Sequence, residues 1–190
     1  MPSNAFSSHL RDLLGDTEEL KDAHSQLKTG NPGRQYGLGA LNRAVIVLSV
    51  SAWESYLEQL IREALLACRP QAPPTGLWSA LNEFCIVQVK RFHTPNANNV
   101  KELFLNTLGL ADIRSAWVWR NLTQQQAIAK LDDALQFRLM IAHGVNPRPT
   151  IHHRYASVLP DFIVRLARAT DDATRAHLGA MFGIQNPWPS

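Results

Sequence analysis

The segment that most restricts the fold is residues 38–68, which contains no proline and carries apolar side chains on every side around residues 45–52. A helix that is apolar all round is buried inside a larger assembly of helices. Its longest apolar run, AVIVLSVSAW at residues 44–53, is interrupted by two serines and is shorter than the roughly 20 residues that cross a bilayer. The segment therefore predicts the central helix of a globular domain and no membrane span.

The rest of the chain shows helical rather than alternating periodicity. A first helix has Ser3 or Asn4 as its N-cap and Gly30 just past its end. Further helices are predicted at residues 77–91, 100–108, 112–119, 123–143 and from near Ser157 to near Gly183. A chain of 190 residues is long enough for a sizeable core. We predict one all-α domain over residues 1–190, with about six helices and a loose tail of about seven residues.

Charge and cysteine content exclude few functions. The net charge of +3 and the pI near 9.1 are only mildly basic. The two cysteines, Cys68 and Cys85, lie in no metal or redox spacing. The sequence offers no good metal cluster, and we expect no metal and no other cofactor. Because no leader sequence opens the chain, we also expect a cytoplasmic protein.

The distribution of charge is more informative than its total. No acidic residue occurs between Asp133 and Asp161, an interval that holds three arginines and three histidines. Such an interval would create a positive potential suited to phosphate. A chance fluctuation in a chain with few charges would give the same pattern. The six residues are Arg138, His143, Arg148, His152, His153 and Arg154.

Arg138 interrupts an apolar pattern. On a helical wheel it lies within about 40° of Ala127, Leu131, Ala134 and Ala142. A guanidinium in such a stripe needs an anion or hydrogen-bond acceptors, because an unpaired buried charge costs several kcal/mol. An internal carboxylate, a set of carbonyl groups and a ligand phosphate all remain candidates.

His143 falls on the last turn of the same helix, next to Gly144. Histidine changes protonation near neutral pH, and arginine binds phosphate, so the pair has the groups needed to cleave a phosphodiester. Basic residues in the last turn also complement the helix dipole, which gives both residues an ordinary structural role.

Three segments resemble a known family. RLMIAHG, at residues 138–144, resembles the R-x4-6-H motif of the HEPN superfamily, whose all-α members include many metal-independent ribonucleases. AVIVLSVSAWESYLEQLI, at residues 44–61, resembles the long early helix of the RiboL-PSP-HEPN-like branch, with its Trp-Glu pair at Trp53 and Glu54. KELFLNTLGLADIRSAWVW, at residues 101–119, resembles the segment before the motif helix. The resemblance covers residues 38–178.

The resemblance implies a homodimeric RNA endonuclease, a toxin or antiviral effector with an antitoxin or defence-system partner. Arg138 and His143 of each subunit would line a shared cleft, where the RNA 2′-OH attacks the adjacent phosphorus without metal. The alanines of the Arg138 stripe would suit that dimer interface. Leu139 stands where active members commonly carry a polar residue. This departure favours the alternative, a non-catalytic module that binds RNA or nucleotide or serves for dimerisation.

Several other residues each have two interpretations. Glu54 follows an apolar run. It is either a carboxylate that orients Arg138 or the partner of some other basic group such as Arg43. The positions that either contact phosphate or belong to a solvated loop are Arg148, His152, His153 and Arg154. Three tryptophans either stack on bases or belong to the core, namely Trp78, Trp117 and Trp119. The basic group that either extends an RNA path or forms a solvated helix end is Lys90, Arg91 and His93.

Overall fold

A computed structural model describes residues 1–28, 37–70, 75–145 and 151–188. Within these ranges the helices are α1 (Leu10–Leu27), α2 (Leu38–Ala67), α3 (Thr75–Lys90), α4 (Ala97–Leu108), α5 (Gln124–Ala142) and α6 (His153–Phe182). A π-helical turn, Ala5–His9, leads into α1, and a 3-10 turn, Ile113–Ala116, lies between α4 and α5. The described residues form no strand beyond an isolated bridge between Trp119 and Leu122. The all-α prediction is confirmed.

Helix α2 is the centre of the core, as its all-round apolar pattern predicts. Trp53, Tyr56, Leu57 and Leu60 are completely buried. The helix packs against α1, α5 and α6. The hydroxyl of Tyr56 donates a hydrogen bond of 2.8 Å to the carbonyl of Ala167, which ties α2 to α6. The other helices are therefore positioned by their packing on the middle of α2. No described helix is long and apolar enough to cross a membrane.

Most predicted helix ends agree with the structure. Thr123 and Gln126 form a capping box at the start of α5, because each side chain accepts a hydrogen bond from the other residue's backbone N–H. Gly144 and Gly183 follow α5 and α6 with φ of +69°, the left-handed conformation that glycine adopts most readily. The short helix predicted at residues 112–119 is wrong in extent, since only a single 3-10 turn forms there.

The predicted start of α6 is also wrong. The helix begins at His153 rather than near Ser157, with His152 as its N-cap. Nδ1 of His152 accepts a hydrogen bond of 3.2 Å from the backbone N–H of Arg154. Pro160 consequently lies inside the helix. Proline removes a single N–H from the ladder, and the helix on both sides of it is long enough to tolerate that loss.

Near the end of the described residues, one side chain of the predicted loose tail packs on the core. Trp188 is only 4% exposed and belongs to the hydrophobic core. An indole ring buries a large apolar area, which offsets the entropy lost when a short segment is ordered. Residues 189 and 190 lie outside the described ranges.

Candidate active site

Helix α5 positions Arg138 by packing one face against α2. Ala127, Leu131 and Ala134 on this face are completely buried. Arg138 lies one turn after Ala134, where this face of α5 is no longer fully buried, and the Arg138 side chain is 33% exposed. The prediction that this alanine stripe forms a dimer interface is therefore wrong for Ala127 and Ala134, because the chain's own core already covers them. Ala142 is exposed.

The Arg138 guanidinium faces the Glu54 carboxylate of α2. Nη2 of Arg138 lies 3.9 Å from Oε2 of Glu54, whose side chain is 17% exposed. The sequence left open whether Arg138 or another basic residue such as Arg43 pairs with Glu54. In the structure Arg138 is the residue that faces it. A separation of 3.9 Å is too long for a hydrogen bond. Arg138 donates no side-chain hydrogen bond to any described residue, so its N–H groups remain available to a ligand anion.

Glu54 is a desolvated carboxylate. Burial raises its pKa above the ordinary value, and the nearby charge of Glu58 raises it further. Arg138 and His93 act in the opposite direction but do not cancel the effect of burial. A carboxylate that is partly removed from water attracts a cation more strongly than one in water does. Glu54 can therefore hold the Arg138 guanidinium in place while leaving its donors free.

Arg138 opens into a cavity of about 290 Å³ between α5 and the start of α4. Hydroxyl, amide and carboxylate groups line it, from Thr94, Asn96, Asn98, Asp132 and Gln136. Oδ1 of Asp132 also accepts a hydrogen bond of 3.4 Å from the backbone N–H of Ala97, which joins the two helices. Amides, hydroxyls and a guanidinium are suited to the phosphate and sugar oxygens of a nucleic acid. The guanidinium is thus reachable from solvent.

The loop at residues 92–96 forms one wall of this region. Nε1 of Trp53 donates a hydrogen bond of 3.1 Å to the carbonyl of Pro95, which fixes the loop against α2 beside Glu54. His93 on this loop is exposed and close enough to affect the pKa of Glu54. Sequence reasoning missed the closeness of His93 to the ion pair and the roles of Thr94 and Asn96. The signals there were the Trp53–Glu54 pair and the basic group that includes His93.

Comparison with known proteins identifies the family. Residues 11–176 match the family described as RiboL-PSP-HEPN, which covers most of the chain. The chain belongs to the RiboL-PSP-HEPN family. No curated protein matches it, and no solved structure matches it. The match agrees with the resemblance noted from three sequence segments, and it extends that resemblance into α1.

In this RiboL-PSP-HEPN chain, His143 does not line the Arg138 cavity. It is the C-cap residue of α5 and is exposed, and its backbone N–H donates to the carbonyl of Leu139 at 3.1 Å. Five residues along a helix correspond to about 140° of rotation and roughly 7.5 Å of rise. A single copy of the chain therefore does not bring His143 and Arg138 to the same cavity.

The basic residues before α6 occupy different surroundings. The ring of His153 stacks on His24, with centroids 3.9 Å apart and planes at 8°. His152 caps α6, and Arg154 is exposed in the first turn. His153 and Arg154 therefore lie in α6 rather than in a solvated loop, because the helix begins earlier than predicted, whereas His152 is an exposed residue just before it. Arg148 lies outside the described residues.

The tryptophans divide between core and surface. Trp117 is completely buried and donates a 3.0 Å hydrogen bond to Oγ1 of Thr170, so it belongs to the core. Trp119 packs on Phe162 with ring centroids 6.1 Å apart. Trp78 is partly exposed. In the described ranges, no three histidine, cysteine or acidic side chains converge to form a metal site.

Proposed function

We propose that this RiboL-PSP-HEPN chain is a metal-independent RNA endonuclease that acts as a homodimer. The observation that carries the proposal is the Arg138 guanidinium, which Glu54 holds at 3.9 Å and which opens into a polar cavity. A guanidinium with free donors binds the non-bridging oxygens of a phosphodiester and stabilises the charge that develops on them. Membership of the family adds RNA as the substrate class.

In the proposed reaction the 2′-oxygen of RNA attacks the adjacent phosphorus, and the bond from phosphorus to the 5′-oxygen breaks. The imidazole of His143 accepts the 2′-hydroxyl proton, and a protonated imidazole donates a proton to the departing 5′-oxygen. The products are a 2′,3′-cyclic phosphate and a 5′-hydroxyl. Glu54 is a positioning residue, which keeps the guanidinium oriented while the phosphate changes geometry.

A second copy of the chain would complete this site. Because His143 lies about 140° around α5 from Arg138, one copy presents the two groups in different directions. A two-fold axis near the end of α5 would let each protomer add its histidine to a cleft shared with its partner's arginine, and isologous pairing is the commonest arrangement of homodimers. Arg148, His152, His153 and Arg154 would then supply phosphate contacts outside the chemical centre.

The decisive experiment is RNA cleavage by the purified chain in excess EDTA. We expect cleavage that leaves cyclic phosphate ends, with a loss of about 10²- to 10³-fold in Arg138→Ala and about 10²- to 10⁴-fold in His143→Ala. The exposed Arg11→Ala is the matched control and should cut like the wild type. Circular dichroism checks the fold of each variant. Intact RNA in every reaction would end the proposal.

A second function has its own support, namely a non-catalytic module that binds RNA or nucleotide or serves for dimerisation. Leu139 is 48% exposed and lies on the wall of the Arg138 cavity, where a polar residue would assist chemistry. This candidate predicts RNA binding that weakens as salt rises, since arginine contacts to phosphate release counterions. It also predicts no cleavage by the wild type and weaker binding by Arg138→Ala.

We further infer a cytoplasmic toxin or an effector of antiviral defence, controlled by an antitoxin or a defence-system partner. Family membership is what supports this role. Expression of the wild type in bacteria should arrest growth, and His143→Ala should not. Growth arrest by both proteins at equal levels would contradict the role of the nuclease in toxicity.

A further inference from the structure

A second cavity lies away from Arg138, where the C-terminal end of α2 faces the start of α3. Its volume is about 470 Å³, within the range of small-molecule sites. Polar side chains from α2, from the residues just after it and from α3 line the cavity, namely Arg62, Arg69, Trp78, Ser79 and Asn82. Neither the sequence resemblance nor the proposed cleavage reaction uses this cavity.

One wall carries two arginines. Arg62 lies near the C-terminal end of α2, and Arg69 follows two residues after the helix ends at Ala67, and both line the cavity. Both are exposed, and no carboxylate in the described part of the chain forms an ion pair with either. Two such guanidinium groups on one side of a cavity create a site for phosphate, which arginine binds through two parallel N–H donors.

The other wall suits a planar aromatic group. Trp78 is partly exposed, and its indole ring supplies a surface for stacking. Ser79 and Asn82 add a hydroxyl and an amide, which can donate to and accept from the edge of a base. Leu66 is 65% exposed and gives an apolar surface beside them. The combination of aromatic, amide and guanidinium groups within one cavity matches the parts of a nucleotide.

We propose that this cavity binds a nucleotide, with its base against Trp78 and its phosphate between Arg62 and Arg69. The same chemistry is offered by one unit of an RNA strand and by a free nucleoside monophosphate. Arg62 is eight residues from Glu54, which corresponds to about 12 Å along α2 and about 80° around it, so a strand from the Arg138 cavity would follow the surface of α2 to reach this one. The binding does not require cleavage, and the proposal stands apart from the nuclease reaction.

The experiment measures the binding of two probes to the full chain by calorimetry, a short single-stranded RNA and adenosine monophosphate. We use Arg69→Ala, Trp78→Ala and Trp78→Phe, with Arg11→Ala as the matched control. All variants carry Arg138→Ala, so that RNA cleavage and binding at the Arg138 cavity are the same in every protein that is compared. Trp78→Ala should weaken RNA binding about 5- to 150-fold. Trp78→Phe should keep much of the affinity, and Arg69→Ala should reduce the salt slope of RNA binding by about 1.

The outcomes separate the sources of the ligand. Weakened binding of both probes supports a site for a free nucleotide as well as RNA, and weakened binding of RNA alone supports a subsite for the strand. Equal binding by Arg69→Ala and the control overturns the proposal, as does a parent protein that binds neither probe. A changed oligomeric state in Trp78→Ala with unchanged nucleotide binding would instead make the cavity a protein contact, which also overturns it.

Discussion

The carboxylate of Glu54 and the guanidinium of Arg138 face each other across the contact between α2 and α5, 3.9 Å apart. Burial raises the pKa of Glu54 despite this cation. The free energy lost by desolvating the carboxylate therefore exceeds what Arg138 returns through attraction. Such an arrangement stabilises a side-chain position more than it stabilises the fold. A substitution of Glu54 should therefore affect activity more than it affects stability.

We predict that Glu54→Gln keeps the fold and loses function. The free energy of unfolding near neutral pH should change by less than about 1 kcal/mol, because a partly exposed ion pair contributes little. RNA cleavage should fall at least tenfold, since the neutral amide no longer holds the guanidinium. Urea denaturation and a cleavage assay measure the two effects. Glu58→Gln, which removes a neighbouring charge of α2, is the control and should retain most activity.

The same substitution should change how stability depends on pH. A raised pKa means that the folded protein binds a proton at Glu54 more readily than the unfolded chain does. The resulting stability is complete below the unfolded value of 4.5 and is lost as pH rises through the folded pKa. As pH rises through that interval, the wild type should therefore lose stability relative to Glu54→Gln. A difference between the two proteins that is constant with pH would contradict this sign.

Ala134→Leu tests the finding that the alanine stripe belongs to the core of the chain. Ala134 is completely buried within the chain. The larger side chain should lower the free energy of unfolding by about 1–3 kcal/mol through overpacking. Ala142→Leu, at an exposed position of the same helix, should change stability by no more than about 0.5 kcal/mol. Sedimentation that shows a changed association state for Ala134→Leu in a protein of normal stability would contradict that finding.

The helices could be predicted where periodicity and caps agree. Residues 38–68 were predicted as the central helix, and α2 spans Leu38–Ala67. Thr123 and Gly144 marked the two ends of α5 because each leaves a local signal, a capping side chain and a residue free to adopt positive φ. The start of α6 was predicted too late. Proline is common in the first turn of a helix, so Pro160 indicated a start near Ser157, and histidine is an uncommon N-cap.

The candidate site could be predicted only in part. Arg138 was singled out because a charge within an apolar stripe needs a partner, and Glu54 because a carboxylate after an apolar run does. Periodicity does not show which side chains meet across helices, so it did not place His93 and Asn96 beside the Arg138 site. It also cannot separate a buried alanine stripe from an exposed one. That distinction depends on tertiary packing, here of α5 on α2.

The N-terminal segment depends on a buried carboxylate. The backbone N–H of Ser3 lies 3.2 Å and 3.3 Å from the two oxygens of Asp171, and the Ser3 hydroxyl donates to one of them. The Ser3 hydroxyl oxygen also accepts from the backbone N–H of Phe6. We predict that Asp171→Ala lowers the free energy of unfolding by about 1–3 kcal/mol, because it leaves buried donors unpaired. Asp171→Asn keeps an acceptor and should lose less, as urea denaturation can show. Equal losses in the two variants would contradict this role.

The stacked rings of His24 and His153 should make the protein less stable in mild acid. His24 is 5% exposed, and burial lowers its pKa, followed by the charges of His153 and Lys28. The unfolded chain therefore takes up a proton at His24 before the folded protein does. Stability is complete above the unfolded value of 6.5 and is lost as pH falls through the interval down to the folded pKa.

We predict that His24→Phe reduces this loss, because phenylalanine can stack on His153 and does not titrate. The free energy of unfolding, measured by urea denaturation on both sides of the interval, should fall less with acid in this variant than in the wild type. His152→Asn is the control, since asparagine also serves as an N-cap and the position is exposed. If His24→Phe and the wild type lose the same stability in acid, the buried imidazole is not the group that responds to pH.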